Sequence, residues 1–398
     1  MKNFLETSHR MMSMVYLDHS ATTPLDPEVL QAMMPYLTEE FGNASSVYGL
    51  GQRARQAIDQ ARDEVAGFYG VAAKEVIFTS GGTEGDNFAF QGIARRNRDR
   101  GRHVITSTIE HDAVLRSAEA VERDGFEVTR LAVDRFGVVD PEILRKALRP
   151  DTILVSIMHA NNEIGTIEPI RELVAVTREH SDAYFHTDAV QSTGKIPTMV
   201  DELGVDLLSM SAHKLHGPKG VGCLVVRSGV RLEPQMLGGG HERNRRAGTE
   251  NVAGIVGLAR AVGIARRDLD ANTVHLTRLR DRLIAGILDR IPHAELTGHP
   301  VQRLPHHASF LIEGVEGESL LLQLDMEGIA ASSGSACTSG SLEPSHVILA
   351  LGYPRERALG SLRLSVGKGN TDADIDLVLE RLPHMVARLR LMAPISAA

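Results

Sequence analysis

Short apolar runs punctuated by polar corners dominate the middle of the chain. Glu75-Val76-Ile77-Phe78-Thr79, His103-Val104-Ile105-Thr106-Ser107, Tyr184-Phe185-His186-Thr187-Asp188 and Val205–Met210 read as short strands. Thr152-Ile153-Leu154-Val155-Ser156-Ile157-Met158 is nearly continuous in apolar character, the pattern of a strand buried on both faces. Helical patterns separate these runs, so residues from about 75 to 226 predict a mainly parallel sheet wrapped by helices. Asp26-Pro27-Glu28 is a helix start, with an acidic cap, proline at the first helical position and an acid near the positive dipole end. Asn43-Ala44-Ser45-Ser46 begins a longer helix through Arg53, Ile58, Ala61 and Val65. Helices run again from about Val252 to Ile291, and a shift in composition near Ala271 marks a change of domain. Ala308–Ile312, Ser319–Met326, Leu362–Val366 and an amphipathic stretch from Asp374 to Leu391 then alternate strand and helix in a smaller α/β unit.

Chemistry gathers where these strands end. Ser211-Ala212-His213-Lys214-Leu215-His216-Gly217-Pro218 lies between two apolar runs, which places Lys214 on a turn between strands. Desolvation and nearby positive charge lower a lysine pKa, and a deprotonated lysine can form a Schiff base. From this segment alone, an exposed lysine on a surface turn is an equally good reading. Upstream, the strand ending in Asp188 supplies what a pyridoxal phosphate ring requires. A carboxylate there keeps the pyridine nitrogen protonated, so that the ring accepts an electron pair. In Ser80-Gly81-Gly82-Thr83-Glu84-Gly85-Asp86-Asn87 a strand breaks at two glycines and restarts as a helix, read here as Asn87 to about Asn97. Free N–H groups at such a start favour an anion, and Thr83 adds a hydroxyl. The run matches neither a Walker loop nor the dinucleotide fingerprint. His111, after the strand at 103–107, reads by itself more often as a structural histidine. Asn161-Asn162 ends the strand begun at Thr152, where open α/β sheets place ligands.

Two stretches lack any periodicity. Gly238–Asn251 is glycine-rich and charged, which by composition is a flexible surface loop. Ala331-Ser332-Ser333-Gly334-Ser335-Ala336-Cys337-Thr338-Ser339-Gly340-Ser341-Leu342-Glu343-Pro344 is small and polar with one cysteine at its middle, and reads as a mobile loop. The second cysteine, Cys223, sits in an apolar strand and reads as inert core.

The Asp188 and Lys214 motifs together resemble the fold-type-I, pyridoxal-phosphate-dependent enzymes of the class V aminotransferase family. The Cys337 loop is most similar to that of the cysteine desulfurases of the nitrogen-fixation and housekeeping iron–sulfur assembly group. The resemblance covers nearly the whole chain after about residue 15. It implies an α/β fold with a mainly parallel seven-stranded sheet in a large domain at 20–265. A small domain of 1–19 plus 266–398 would carry the cysteine loop at 331–344. It further implies that Gly82, Thr83, Ser211, Ala212 and His213 belong to the cofactor site, with Gly82, Thr83, Ser211 and His213 on its phosphate. His111 would stack on the ring and act as a proton carrier, Gln191 would meet the ring oxygen, and Asn162 the substrate or the ring hydroxyl. Lys214 would transfer the α proton, Arg363 would pair with the substrate carboxylate, and Thr249 would reach a neighbouring subunit's cofactor phosphate in a homodimer. Cys337 would take sulfur from L-cysteine as a persulfide, leaving alanine, and pass it to an iron–sulfur scaffold or another acceptor protein. The resemblance also allows Cys337 to ligate an iron–sulfur cluster transiently on a scaffold partner, while no His/Cys spacing indicates an intrinsic metal site. One departure stands out: His19-Ser20 occupies a place where the family usually has Asn-Asn. A selenocysteine lyase, another class V enzyme, or a silent cofactor-binding scaffold remain alternatives, and the Cys337 loop is what separates them.

Composition narrows the setting. A net charge of −8 argues against nucleic acid or an anionic membrane as main partner, despite the basic cluster from Arg95 to Arg102. Two cysteines in 398 residues leave no disulfide framework, which suits a reducing cytoplasm. The first residues, with Glu6, His9 and Arg10, lack the apolar stretch of a signal peptide.

Overall fold

The computed structural model describes residues 14–333 and 343–392. Seven strands form the main sheet: β2 (Val76–Thr79), β3 (His103–Ser107), β4 (Glu127–Leu131), β5 (Thr152–Ser156), β6 (Tyr184–Asp188), β7 (Leu207–Ser211) and β8 (Gly222–Val226). β1 (Val15–Tyr16) lies outside it. The order is β2-β8-β7-β6-β5-β3-β4. Every pair from β7 to β4 is parallel, while β8 runs antiparallel to both neighbours. The seven-stranded, mainly parallel sheet expected from the sequence is therefore present. All residues of β3, β5, β7 and β8 are buried, as their unbroken apolar character requires.

This register fixes where the chemistry sits. β5, β6 and β7 are parallel, so Asp188 and Ser211 emerge at one edge of the sheet. β2 is antiparallel to β8, which is antiparallel to β7, so the glycine turn after β2 returns to that same edge. Close approach demands glycine there: a Cβ on Gly222 would stand 2.3 Å from the Met210 carbonyl oxygen and 2.8 Å from Gly81 Cα.

A smaller unit holds β9 (Ala294–Leu296), β10 (His307–Ile312) and β12 (Ser361–Ser365) in an antiparallel sheet, while β11 (Ile329–Ala330) pairs with β1. A second core joins Leu17, Phe310, Leu320, Leu362, Leu364 and Leu382. One 39-residue helix, Val252–Arg290, belongs to both units. Its Ile255, Leu258 and Val262 lie in the large core, whereas Leu276, Leu279, Leu283 and Ile287 lie in the small one.

Some boundaries differ from the sequence reading. The helix expected from Asn43–Ser46 begins at Gly49 and runs to Tyr69, because residues 43–46 form a turn that passes beneath Gly51. The helix expected from Asn87 begins at Gly82 and ends at Arg96. Residues 238–251 are not a loose surface loop. Glu242, Arg243 and Asn244 adopt left-handed φ values of 44, 57 and 61°. Glu242 is buried in a two-pronged pair with Arg62, at 2.7 and 2.8 Å. Arg246–Glu84 and Arg55–Glu250 pin the rest of the stretch. Among the described residues no helix is long and apolar enough to cross a membrane.

Candidate active site

A cavity of about 320 Å³ opens at the carboxyl edge of the sheet. Its walls bring together Gly82, Thr83, His111, Asn162, Asp188, Gln191, Ser211, His213, Lys214 and Arg363, residues drawn from across nearly three hundred positions of sequence.

Lys214 ends a single 3-10 turn, Ala212–Lys214, that follows β7 directly. Its Nζ donates to the Ser20 and Ala21 carbonyls at 2.6 and 2.7 Å. The Ser20 carbonyl also accepts from Gln191 Nε2 at 2.9 Å. Ser20 thus serves the site through its backbone, which explains how the chain tolerates a side chain other than the usual one. His19 faces a smaller neighbouring cavity, edge-on to Tyr16 at 4.9 Å, and burial holds its imidazole down at about 3.

Asp188 closes β6, fully buried, with Oδ1 accepting the Val190 N–H at 2.8 Å. Burial raises its carboxyl pKa, opposed by the Val190 N–H and the charge of Lys214. His111 caps the Asp112–Arg123 helix, its Nδ1 accepting the Ala113 N–H at 3.1 Å, which leaves Nε2 as the ring's N–H. His213 contacts Thr22 Oγ1 at 3.1 Å, and burial with three nearby lysines lowers its pKa to about 4.

Arg363 comes from β12 of the smaller unit and is buried. Nη1 donates to the Asn162 carbonyl at 3.0 Å, and Nη2 pairs with Asp18 at 2.8 Å. Its Nε has no hydrogen-bond partner among the described residues. A buried guanidinium with an unused edge is a receptor for a carboxylate.

These groups fit pyridoxal phosphate. The open N–H groups at Gly82 and Thr83 begin the Gly82–Arg96 helix, beside the hydroxyls of Thr83 and Ser211, and so form an anion cradle. Val190 packs so closely that a Cβ on Gly82 would lie 2.5 Å from its Cγ2. Asp188 offers a buried carboxylate to a ring nitrogen. Gln191 has one end of its amide bonded and the other, also buried, without a partner among the described residues.

Two expected residues stand apart from this cavity. Ala212 packs into the large core. Thr249 is exposed on this chain. Cys337 lies outside the described residues, as does most of its loop. The described chain nevertheless reaches the site on both sides of that loop. Ser332 forms a backbone bridge with Arg363, and Ser345 Oγ donates to Glu163, next to Asn162. Cys223 is fully buried in β8, where desolvation pushes its thiol far above the usual range. The sequence reading did not assign Asp18, Ser20, Asp86 or Val190 to the site. Asp18 carried a signal as an acid at the end of an apolar opening strand, and Ser20 carried one only as part of the His19-Ser20 departure.

The comparisons agree with this geometry. The aminotransferase class-V family model matches residues 15–378. A cysteine desulfurase IscS of Methanosarcina thermophila is 54% identical over 96% of this chain and 94% of its own. That of Dictyoglomus turgidum is 52% identical over 96% of each chain. Among solved structures, a NifS-like protein superposes with a TM-score of 0.89 at 38% identity, over 94% of this chain and all of its own. DndA from Streptomyces lividans does so at 0.75 and 39%, over 87% and 97%. A family match across nearly the whole chain, joined to a lysine, an acid and an anion cradle at one sheet edge, makes this chain a member of the aminotransferase class-V family.

Proposed function

We propose that this pyridoxal-phosphate-dependent cysteine desulfurase draws sulfur from L-cysteine onto Cys337 and passes the resulting persulfide to an acceptor protein. The carrying observation is the convergence of Lys214, Asp188 and Arg363 on one cavity. Bound there, pyridoxal phosphate supplies an electron sink for the pair left when the substrate loses its α proton. Arg363 holds the substrate carboxylate, with Asn162 alongside. Lys214 Nζ moves the α proton, and His111 Nε2 is placed to carry a second one. Asp188 keeps the ring nitrogen protonated, and Gly82, Thr83, Ser211 and His213 hold the phosphate. The Cys337 thiolate then attacks the substrate sulfur. The carbon–sulfur bond breaks, a sulfur–sulfur bond forms, and alanine leaves. Attachment of Ser332 to Arg363 and of Ser345 to Glu163 supports a reach of that loop to the cavity.

The acceptor is an iron–sulfur scaffold or a comparable sulfur carrier, and the setting is the cytoplasm. The active unit is a homodimer. Exposed Leu30, Met34, Leu37, Phe41, Val47 and Tyr48 support an apolar interface near Thr249's rigid stretch. The two units divide within the Val252–Arg290 helix, between Ala265 and Leu276.

Single-turnover mass spectrometry tests the assignment. One added sulfur should appear on the peptide containing Cys337, and Cys337→Ser should still bind the cofactor while releasing almost no alanine. Sulfur on Cys223, or undiminished turnover in Cys337→Ser, would refute it.

A further inference from the structure

Behind Asp188 lies a second buried carboxyl that the reaction above does not use. Asp86 sits in the first turns of the Gly82–Arg96 helix, only 1% exposed, and its side chain reaches the cavity wall. Its Oδ1 has no hydrogen-bond partner among the described residues. The nearest basic neighbour recorded for it is His186 Nε2 at 3.7 Å. His186 precedes Asp188 by two positions on β6, so both side chains leave the same face of the strand. The imidazole is saturated by two hydroxyls, Ser156 Oγ on Nδ1 at 2.8 Å and Ser209 Oγ on Nε2 at 2.9 Å. Burial holds that ring down at about 3, so it is neutral and gives Asp86 no counter-charge.

We infer that Asp86 is a positioning residue of the cofactor site: it keeps its own proton, so that Asp188 beside it can remain the ionised partner of the ring nitrogen. The inference rests on the cofactor reading given above. Two buried carboxyls that repel each other do not both ionise readily, so one proton stays with the pair. The surroundings decide which member holds it. Asp86 faces Asp188 and neutral His186 on β6, Ser209 on β7, and Glu110 after β3. Burial and then Asp188 push its pKa well up, Ser209 opposes them, and Glu110 adds to the rise. Asp188 instead accepts the Val190 N–H at 2.8 Å and shares the cavity with Lys214, whereas Asp86 Oδ1 has no donor among the described residues. The proton therefore belongs to Asp86. A neutral acid in that place also packs against the His186–Ser209 pair without adding a second negative charge near Asp188.

Infrared difference spectroscopy tests this on the protein loaded with pyridoxal phosphate. Wild type minus Asp86→Asn should show the C=O stretch of a protonated carboxyl at neutral pH, shifting on exchange into D2O. In Asp86→Asn, which imitates the neutral acid, 15N-labelled cofactor should keep a pyridinium signal, and affinity should stay within about threefold of wild type. Asp86→Ala should fold but hold the cofactor about tenfold less tightly. Absence of the carboxyl band, loss of the pyridinium signal in Asp86→Asn, or full affinity in Asp86→Ala would each overturn the inference. A wild type that takes up no pyridoxal phosphate would instead end the reading of the site itself.

Discussion

Gly82→Ala probes the phosphate cradle with a single methyl group. The added Cβ would stand 2.5 Å from Val190 Cγ2, with the next atoms, Ser211 Cβ and Val190 Cβ, at an ordinary 3.8 Å. Comfortable carbon–carbon contact begins near about 3.5 Å, so one neighbour must retreat by about 1 Å. That neighbour is poorly placed to move. Val190 donates its N–H to Asp188 and precedes Gln191, so retreat disturbs two side chains of the cavity wall. Overpacking of this kind costs about 1–3 kcal/mol, while alanine returns up to about 1 kcal/mol over glycine in a helix. With that return in full the net is at most about 2 kcal/mol, which corresponds to a cofactor Kd weaker by up to about 30-fold. Val190→Ala deletes the offending Cγ2, so the double variant should recover to within about threefold of wild type. Equilibrium dialysis against pyridoxal phosphate gives the Kd values, and thermal midpoints of the cofactor-free proteins separate binding from folding. An unchanged Kd in Gly82→Ala, or no recovery in the double variant, would show that the contact with Val190 is not what makes glycine necessary.

Other perturbations reach different parts of the molecule. Glu242→Ala leaves Arg62 buried without its partner and should cost about 3–5 kcal/mol in urea unfolding, with Glu242→Gln losing less; a loss below about 1 kcal/mol would contradict the buried pairing. Asp18→Asn weakens the hold on Arg363 Nη2 and should raise KM for cysteine about tenfold, with kcat within about twofold. Equal falls in kcat and kcat/KM would place the effect in the transition state instead. His159 is buried, which lowers its imidazole from 6.5 to about 4. The unfolded chain takes up that proton first, so this site's contribution is intact above pH 6.5 and lost as pH falls toward 4. Relative to His159→Gln, wild type should lose about 2 kcal/mol between about pH 7.5 and 5, and a constant difference over that range would count against it.

The sheet and the central site residues were legible because buried strands announce themselves. An unbroken apolar run ending in Asp188 or Ser211 tells where the strand stops and which polar group it delivers to the carboxyl edge. β4 escaped notice since it lies at the sheet's border, where exposed Glu127 and Arg130 break the apolar pattern. Ser20 and Ala21 escaped for another reason: they act through carbonyl oxygens, and a carbonyl leaves no mark in the choice of side chain. Asp86 resembles any polar residue near a helix start until the sheet beneath it removes the solvent. The Gly238–Asn251 stretch misled by composition, because its charges read as solvated when Glu242 is in fact buried against Arg62.

The Val252–Arg290 helix has a consequence for what the enzyme can measure. An uninterrupted helix shared by two cores is a strut, and bending it would sacrifice its own backbone hydrogen bonds. Arg363 belongs to one end of this frame but is also bolted to the Asn162 carbonyl at the other. The span from the guanidinium to Lys214 Nζ is accordingly a fixed gauge, set by the scaffold and indifferent to small flexing of either part. On the proposed role of Arg363, an amino acid would be sized against that gauge: with its carboxylate at one jaw, only a side chain of the right length would present its terminal atom to the nucleophile.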